Sequence, residues 1–127
     1  MIGSNSIREI QVISRERANR WHHGDFQNWS TLEWAGAMCG EAGEAANIAK
    51  KLKRIEDNLS GNLASAHVLQ GISELRRELA SECAGTFLYL CLLMSSEGLD
   101  FQRAIASEFN RKSIALGFPE RIIEDLE

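Results

Sequence analysis

An all-α fold follows from three features of this sequence. Proline occurs once, at Pro119. No run of alternating apolar and polar residues is bounded by turn dipeptides, as strands would require. Apolar residues instead recur at three- and four-residue spacing through most of the chain, the pattern of helices that each bury one stripe. At 127 residues the chain fits a single domain, residues 1–127, long enough to bury about two-thirds of the surface its unfolded form would expose.

The first helix is expected over residues 5–21, with Ile7, Ile10, Ile13 and Ala18 near one stripe and Arg8, Glu9, Arg15 and Arg17 mostly elsewhere. Residues 22–29 read as a loop, in which His22 and His23 form an exposed pair. The second helix has the clearest start. Ser30 followed by Glu33 matches a capping box, in which each side chain satisfies an amide left over by the first turn. This helix runs to about Arg54. Residues 55–70, with Asp57, Asn58, Ser60, Gly61 and Asn62, lose the periodicity and read as the connection between two hairpin arms, with room for a short helical turn over 63–69. The third helix, residues 72–96, carries an eight-residue apolar run over 87–94. Such a run implies cover on nearly every side toward its C-terminal half and makes this helix central. Gly98 stands where a C-terminal cap belongs, Asp100 can cap the next start, and a fourth helix over 101–116 ends at Gly117 and Pro119.

Composition narrows the function classes. With 44% hydrophobic and 25% charged residues the chain is of ordinary globular make-up, and its formal charge of −4 argues against nucleic acid as a partner, which needs a basic face. Cys39, Cys83 and Cys91 are odd in number, lie in helical patterns and form no CxxC pair. Neither a disulfide framework nor a zinc site is expected, and a reducing cytoplasm fits. The N-terminal residues lack an apolar signal core, and the run 87–94 is too short to span a bilayer, so no membrane partner is expected.

The chemistry-bearing residues fall on the second and third helices. Glu41 and Glu44, three apart, present both carboxylates on one face within reach of a single cation. Spacing alone is also what a solvated helix face shows. Here, however, Trp34, Met38, Ile48 and Lys51 fall near the same stripe, so the acids interrupt a face that should be buried, and unpaired buried carboxylates are costly. Glu78, Glu82, Gly85 and Tyr89, spaced four, three and four, form a matching stripe on the third helix. Antiparallel neighbours would bring the two sets of acids together as a hard, oxygen-rich site suited to Mg²⁺ or Mn²⁺ and hence to phosphate esters or anhydrides.

Residues 40–52, GEAGEAANIAKKL, and 82–90, ECAGTFLYL, resemble the ExxE and ExxD helices of MazG-like enzymes, members of the all-α NTP pyrophosphatase superfamily. Residues 98–100, GLD, and 108–113, EFNRKS, are similar to the turn and last helix of the same family, and the likeness covers roughly residues 29–122. It implies an oligomeric four-to-five-helix bundle, a homodimer or homotetramer, that cleaves nucleoside triphosphates between the α and β phosphates by metal-activated water. It also implies that Glu41, Glu44 and Glu82 are metal ligands, with Glu41 or Glu44 orienting or deprotonating the water.

The family's fourth ligand, an aspartate, falls on Gly85. Glycine has no ligating side chain and costs a helix interior about 1 kcal/mol relative to alanine. Three interpretations stand: Glu78 substitutes one turn earlier; the site works weakly with fewer ligands; or the chain is a nucleotide-binding or regulatory protein impaired in catalysis. Shifting the frame to start ExxD at Glu78 would put Ser81 at the fourth position and break the spacing to Gly98. Lys51, beyond Glu44 on a similar face, is a candidate for phosphate contact, while Lys50 and Arg54 suit the helix dipole in any case. Asn110 and Lys112 resemble polar positions of the family's last helix and are the next candidates for phosphate or sugar contact. Trp29, Trp34 and Tyr89 are candidates to wall in the base, although aromatics at helical spacing also serve as plain core.

Overall fold

The structure is a computed structural model that describes residues 5–21, 24–59 and 66–123. Its elements are α1 (Ile7–Trp21), a 3₁₀ turn (Phe26–Asn28), α2 (Thr31–Leu59), α3 (Ala66–Ser96) and α4 (Phe101–Leu116), with no strand among the described residues. The fold is all-α, as expected. His22, His23 and residues 60–65 lie outside the described residues, as does the side chain of His67.

Two helices run further than their sequence patterns indicated. α2 passes Arg54 to Leu59, and across that extension Lys53 Nζ meets Asp57 Oδ1 at 2.6 Å, an i,i+4 pair that bridges the last turns. α3 begins at Ala66 rather than near residue 72, and Gly71 is absorbed inside it because buried Ile72 anchors the following turn. The stretch read as a loop over 22–29 contains the 3₁₀ turn. Asp25 caps it by accepting from the Gln27 amide at 2.8 Å, while the Phe26 amide donates to Asn19 Oδ1 at 2.8 Å.

Chain contacts gather into two units, Met1–Thr31 with Cys91–Glu127, and Leu32–Leu90. In the first unit, α1 grips the turn between α3 and α4 through a buried amide. Gln11 Nε2 donates to Ser95 Oγ at 3.0 Å and to the Leu99 carbonyl at 2.8 Å, while its Oε1 accepts from the Phe101 amide at 3.0 Å. The buried stripe of α1 is therefore Gln11, Ser14 and Ala18, and Ile13, expected on the apolar face, is half exposed. Asp100 caps α4 by accepting from the Arg103 amide at 3.2 Å and also receives Arg8 Nε at 2.9 Å. Burial pushes the Asp100 carboxyl up, but the Arg103 amide and the Arg8 guanidinium outweigh it and hold the carboxyl below the usual range. Gly117, at φ 75°, closes α4 in the left-handed conformation that glycine adopts without strain.

In the second unit the bodies of α2 and α3 run antiparallel, since Trp34 pairs with Tyr89 near one end and Glu41 with Gly85 further along. Trp34 is fully buried, and Ile48 and Ile72 are buried as well. Along the apolar run of α3, Cys91 and Leu92 are buried, but Phe87, Leu88 and Leu90 are only half-buried, which is less cover than the run implied. By length and composition alone, Val68–Ser96 is also long and apolar enough to cross a bilayer. Glu78 and Glu82 interrupt that stretch, and a carboxylate at bilayer depth is costly.

Candidate functional site

On α2, Trp34, Glu41 and Ile48 are seven residues apart and so share one stripe. The two apolar members are buried and the acid between them is half-buried, so Glu41 occupies a core-facing position on the flank toward α3. Opposite it on α3 stand Glu82 and Gly85. A Cβ at residue 85 would lie 2.9 Å from Glu41 Oε2, 3.3 Å from its Cδ and 3.6 Å from its Cγ. The Glu41 carboxylate thus lies directly over the bare backbone of Gly85.

The same carboxylate meets Glu82. A hydrogen bond to Glu41 is the largest influence on the Glu82 carboxyl, followed by burial and by the charges of Glu41, Glu44 and Glu78, and all of these push it above the usual carboxylate range. Two carboxyl groups share such a bond only when a proton lies between them. Glu44 and Glu78, both exposed, act on Glu82 through their charge alone. The hairpin therefore places three acids within electrostatic reach of Glu82, one of them, Glu41, in contact with it.

The proposed ligands are not equally assembled. Glu41 and Glu82 are brought together, whereas Glu44 stands at longer range, and among the described residues no three His, Cys, Asp or Glu side chains converge closely enough to hold a metal ion in this arrangement. The donor chemistry nevertheless fits a hard divalent cation: every acid here offers only carboxylate oxygens, and their mutual repulsion is what a cation relieves. The space above Gly85 is already filled by an oxygen of Glu41.

The other candidates divide by unit. Trp34 and Tyr89 flank the acids along the hairpin, with ring centroids 6.1 Å apart and planes inclined at 38°. Since Trp34 is fully buried, only half-buried Tyr89 offers a face to a ligand. Lys51 is exposed about two turns beyond Glu44, and Lys50 and Arg54 are exposed as well. In the other unit, Trp29 follows the 3₁₀ turn and its amide donates to the Phe26 carbonyl at 3.3 Å. Asn110 is engaged by the chain itself, as its Nδ2 donates to the Ile122 carbonyl and its Oδ1 accepts from the Ile122 amide, both at 2.8 Å. Lys112 is exposed, and its neighbour Arg111 is held by Glu108 through two bonds of 2.8 and 2.6 Å.

One relation escaped the sequence reading. Gly85 registers there as a missing ligand, whereas the structure gives it a positive partner in the Glu41 carboxylate. The available signal was a glycine kept inside a long helix against its propensity. A cavity of about 220 Å³ in the first unit, among Arg8, Gln11, Arg15, Ser95 and Asp100, is lined by none of the four glutamates. Comparison with protein-family models, with curated proteins and with solved structures returns no match.

Proposed function

We propose that this chain is a MazG-like nucleoside triphosphate pyrophosphohydrolase, acting in the cytoplasm as a homodimer or homotetramer and releasing a monophosphate and pyrophosphate. The observation that carries the reading is the carboxyl pair of Glu41 and Glu82 across an antiparallel hairpin, with the charges of Glu44 and Glu78 converging on it. Acids so crowded destabilise one another unless a cation joins them, and the ordered motifs over residues 40–52 and 82–90 supply the family context.

In this reading Glu41, Glu44 and Glu82 hold Mg²⁺ or Mn²⁺, with Glu78 close enough electrostatically to support them. The metal, when bound, neutralises the triphosphate and acidifies the attacking water. Glu41 or Glu44, on one face of α2, would orient that water or take its proton. Lys51 meets a phosphate as a mobile point charge. Tyr89, held at one edge by buried Trp34, offers a flat apolar wall to the base. Half-buried Phe87, Leu88 and Leu90 on α3 support the oligomeric part of the reading, because a second copy would complete their cover.

The glycine at position 85 favours one second reading, a nucleotide-binding or regulatory protein that keeps the pocket without turnover. Assays of a panel of ribo- and deoxyribonucleoside triphosphates with Mg²⁺, alongside Glu41→Gln, separate the two. Turnover abolished in the variant supports the enzyme; a nucleotide- and Mg²⁺-dependent rise in Tm without turnover supports the binder. Neither turnover nor a rise removes both.

A further inference from the structure

We infer that the cavity of about 220 Å³ between α1 and the turn joining α3 to α4 binds a small organic anion, its carboxylate or phosphate on Arg15 and Ser95 and its apolar body against Val12 and Leu99. The site lies wholly within the first unit and shares no residue with the acidic hairpin. Among the side chains that line it, the acceptors are already spent. Gln11 Oε1 takes the Phe101 amide, Asp100 Oδ1 takes the Arg103 amide, and Asp100 Oδ2 takes Arg8 Nε. Gln11 Nε2 is spent as well, on Ser95 Oγ and the Leu99 carbonyl. Two donors remain. Ser95 Oγ accepts from Gln11 and so has its hydroxyl hydrogen left to give, and the Arg15 guanidinium has no hydrogen-bond or ion-pair partner among the described residues.

Three properties fix the class of ligand. Donors left over without acceptors select for an acceptor-rich group, and a guanidinium presents the planar fork that carboxylates and phosphates match. The formal charges that line the cavity, Arg8 and Arg15 against Asp100, leave one positive charge over, although the whole chain carries −4. Asp100 is neutralised by Arg8 at 2.8 Å, which leaves Arg15 as the cation that an incoming anion meets. Val12 and Leu99, 42% and 52% exposed, keep apolar surface open for a hydrocarbon body to cover. The volume suits an anion about the size of butyrate, since it would admit about seven water molecules at ~30 Å³ each.

The test is a titration of the isotopically labelled full chain, followed by amide NMR at constant ionic strength, with butyrate, butylphosphonate, inorganic phosphate and butylamine as probes. The Arg15→Gln and Arg17→Gln variants are titrated beside it. Both arginines are exposed on α1, so neither substitution disturbs buried packing, and Arg17 does not line the cavity. We expect saturable shifts at the Gly98 and Leu99 amides with butyrate or butylphosphonate, the tighter of the two naming the head group. Inorganic phosphate should bind more weakly than butylphosphonate, and butylamine should give no saturable shift. Arg15→Gln should weaken anion binding about tenfold, the scale of a hydrogen bond to a charged group, while Arg17→Gln leaves it unchanged. The inference is overturned if neither organic anion gives a saturable shift, if Arg15→Gln binds like the parent, if the two arginine variants lose affinity equally, or if butylamine binds as well as butyrate. Inorganic phosphate that matches butylphosphonate would overturn the assignment of Val12 and Leu99 to an apolar body. None of these outcomes depends on the reading of the acidic hairpin.

Discussion

The Glu41 carboxylate lies over the bare backbone of Gly85 and meets Glu82 on the same facing helix. At Glu82 a carboxyl–carboxyl bond to Glu41, then burial, then the charges of Glu41, Glu44 and Glu78 push the folded-state pKa up. The sign follows: the folded chain binds more protons than the unfolded chain between the ordinary and the raised value, so stability falls as pH rises through that window. Glu82→Gln should therefore raise Tm in EDTA above that window and abolish any gain from Mg²⁺, and a lower Tm in EDTA would show that the acids do not strain the hairpin. Asn110 presents a different case. Its amide pairs on both sides with Ile122, so Asn110→Ala should speed hydrogen exchange at the Ile122 amide and cost about 1 kcal/mol, as read by exchange mass spectrometry and chemical unfolding. Unchanged exchange would mean that the C-terminal segment is held elsewhere. The sequence marked Asn110 as a candidate for phosphate or sugar contact and not as a partner of Ile122, because a residue twelve places downstream leaves no local signature.

At the scale of elements, caps proved more legible than ends. Asp100 was readable as an N-cap and Gly117 as a stop, because both act within their own turn and leave a local sequence signature. The far end of α2 and the start of α3 were not, since an i,i+4 pair at Lys53 and Asp57 and the burial of Ile72 override weak local propensity. The stripe of α1 was misjudged for a related reason. A helix can bury a glutamine when its amide replaces backbone partners, as Gln11 does at the α3–α4 turn, and hydrophobic periodicity carries no record of that. Removing the α4 cap with Asp100→Ala should cost about 1 kcal/mol in chemical unfolding. Because the Asp100 carboxyl is held below its usual range in the fold, its contribution is present above the ordinary aspartate value and fades as pH falls through the lower one. The penalty should accordingly shrink in acid, and a pH-independent penalty would assign the effect to something other than the ionised cap.

For the whole molecule, the all-α character was fully legible, since it depends on periodicity and on the scarcity of breakers along the entire chain. The candidate site was legible as two acidic stripes, one on each arm of a hairpin. Its internal order was not: contact between Glu41 and Glu82, with Glu44 and Glu78 further off, depends on side-chain reach across the hairpin, which spacing along one helix does not encode. If the chain cleaves a nucleoside triphosphate between its α and β phosphates, as proposed, phosphorus-31 NMR of the products formed with Mg²⁺ shows a nucleoside monophosphate and pyrophosphate in equal amounts; a nucleoside diphosphate with inorganic phosphate contradicts that cleavage.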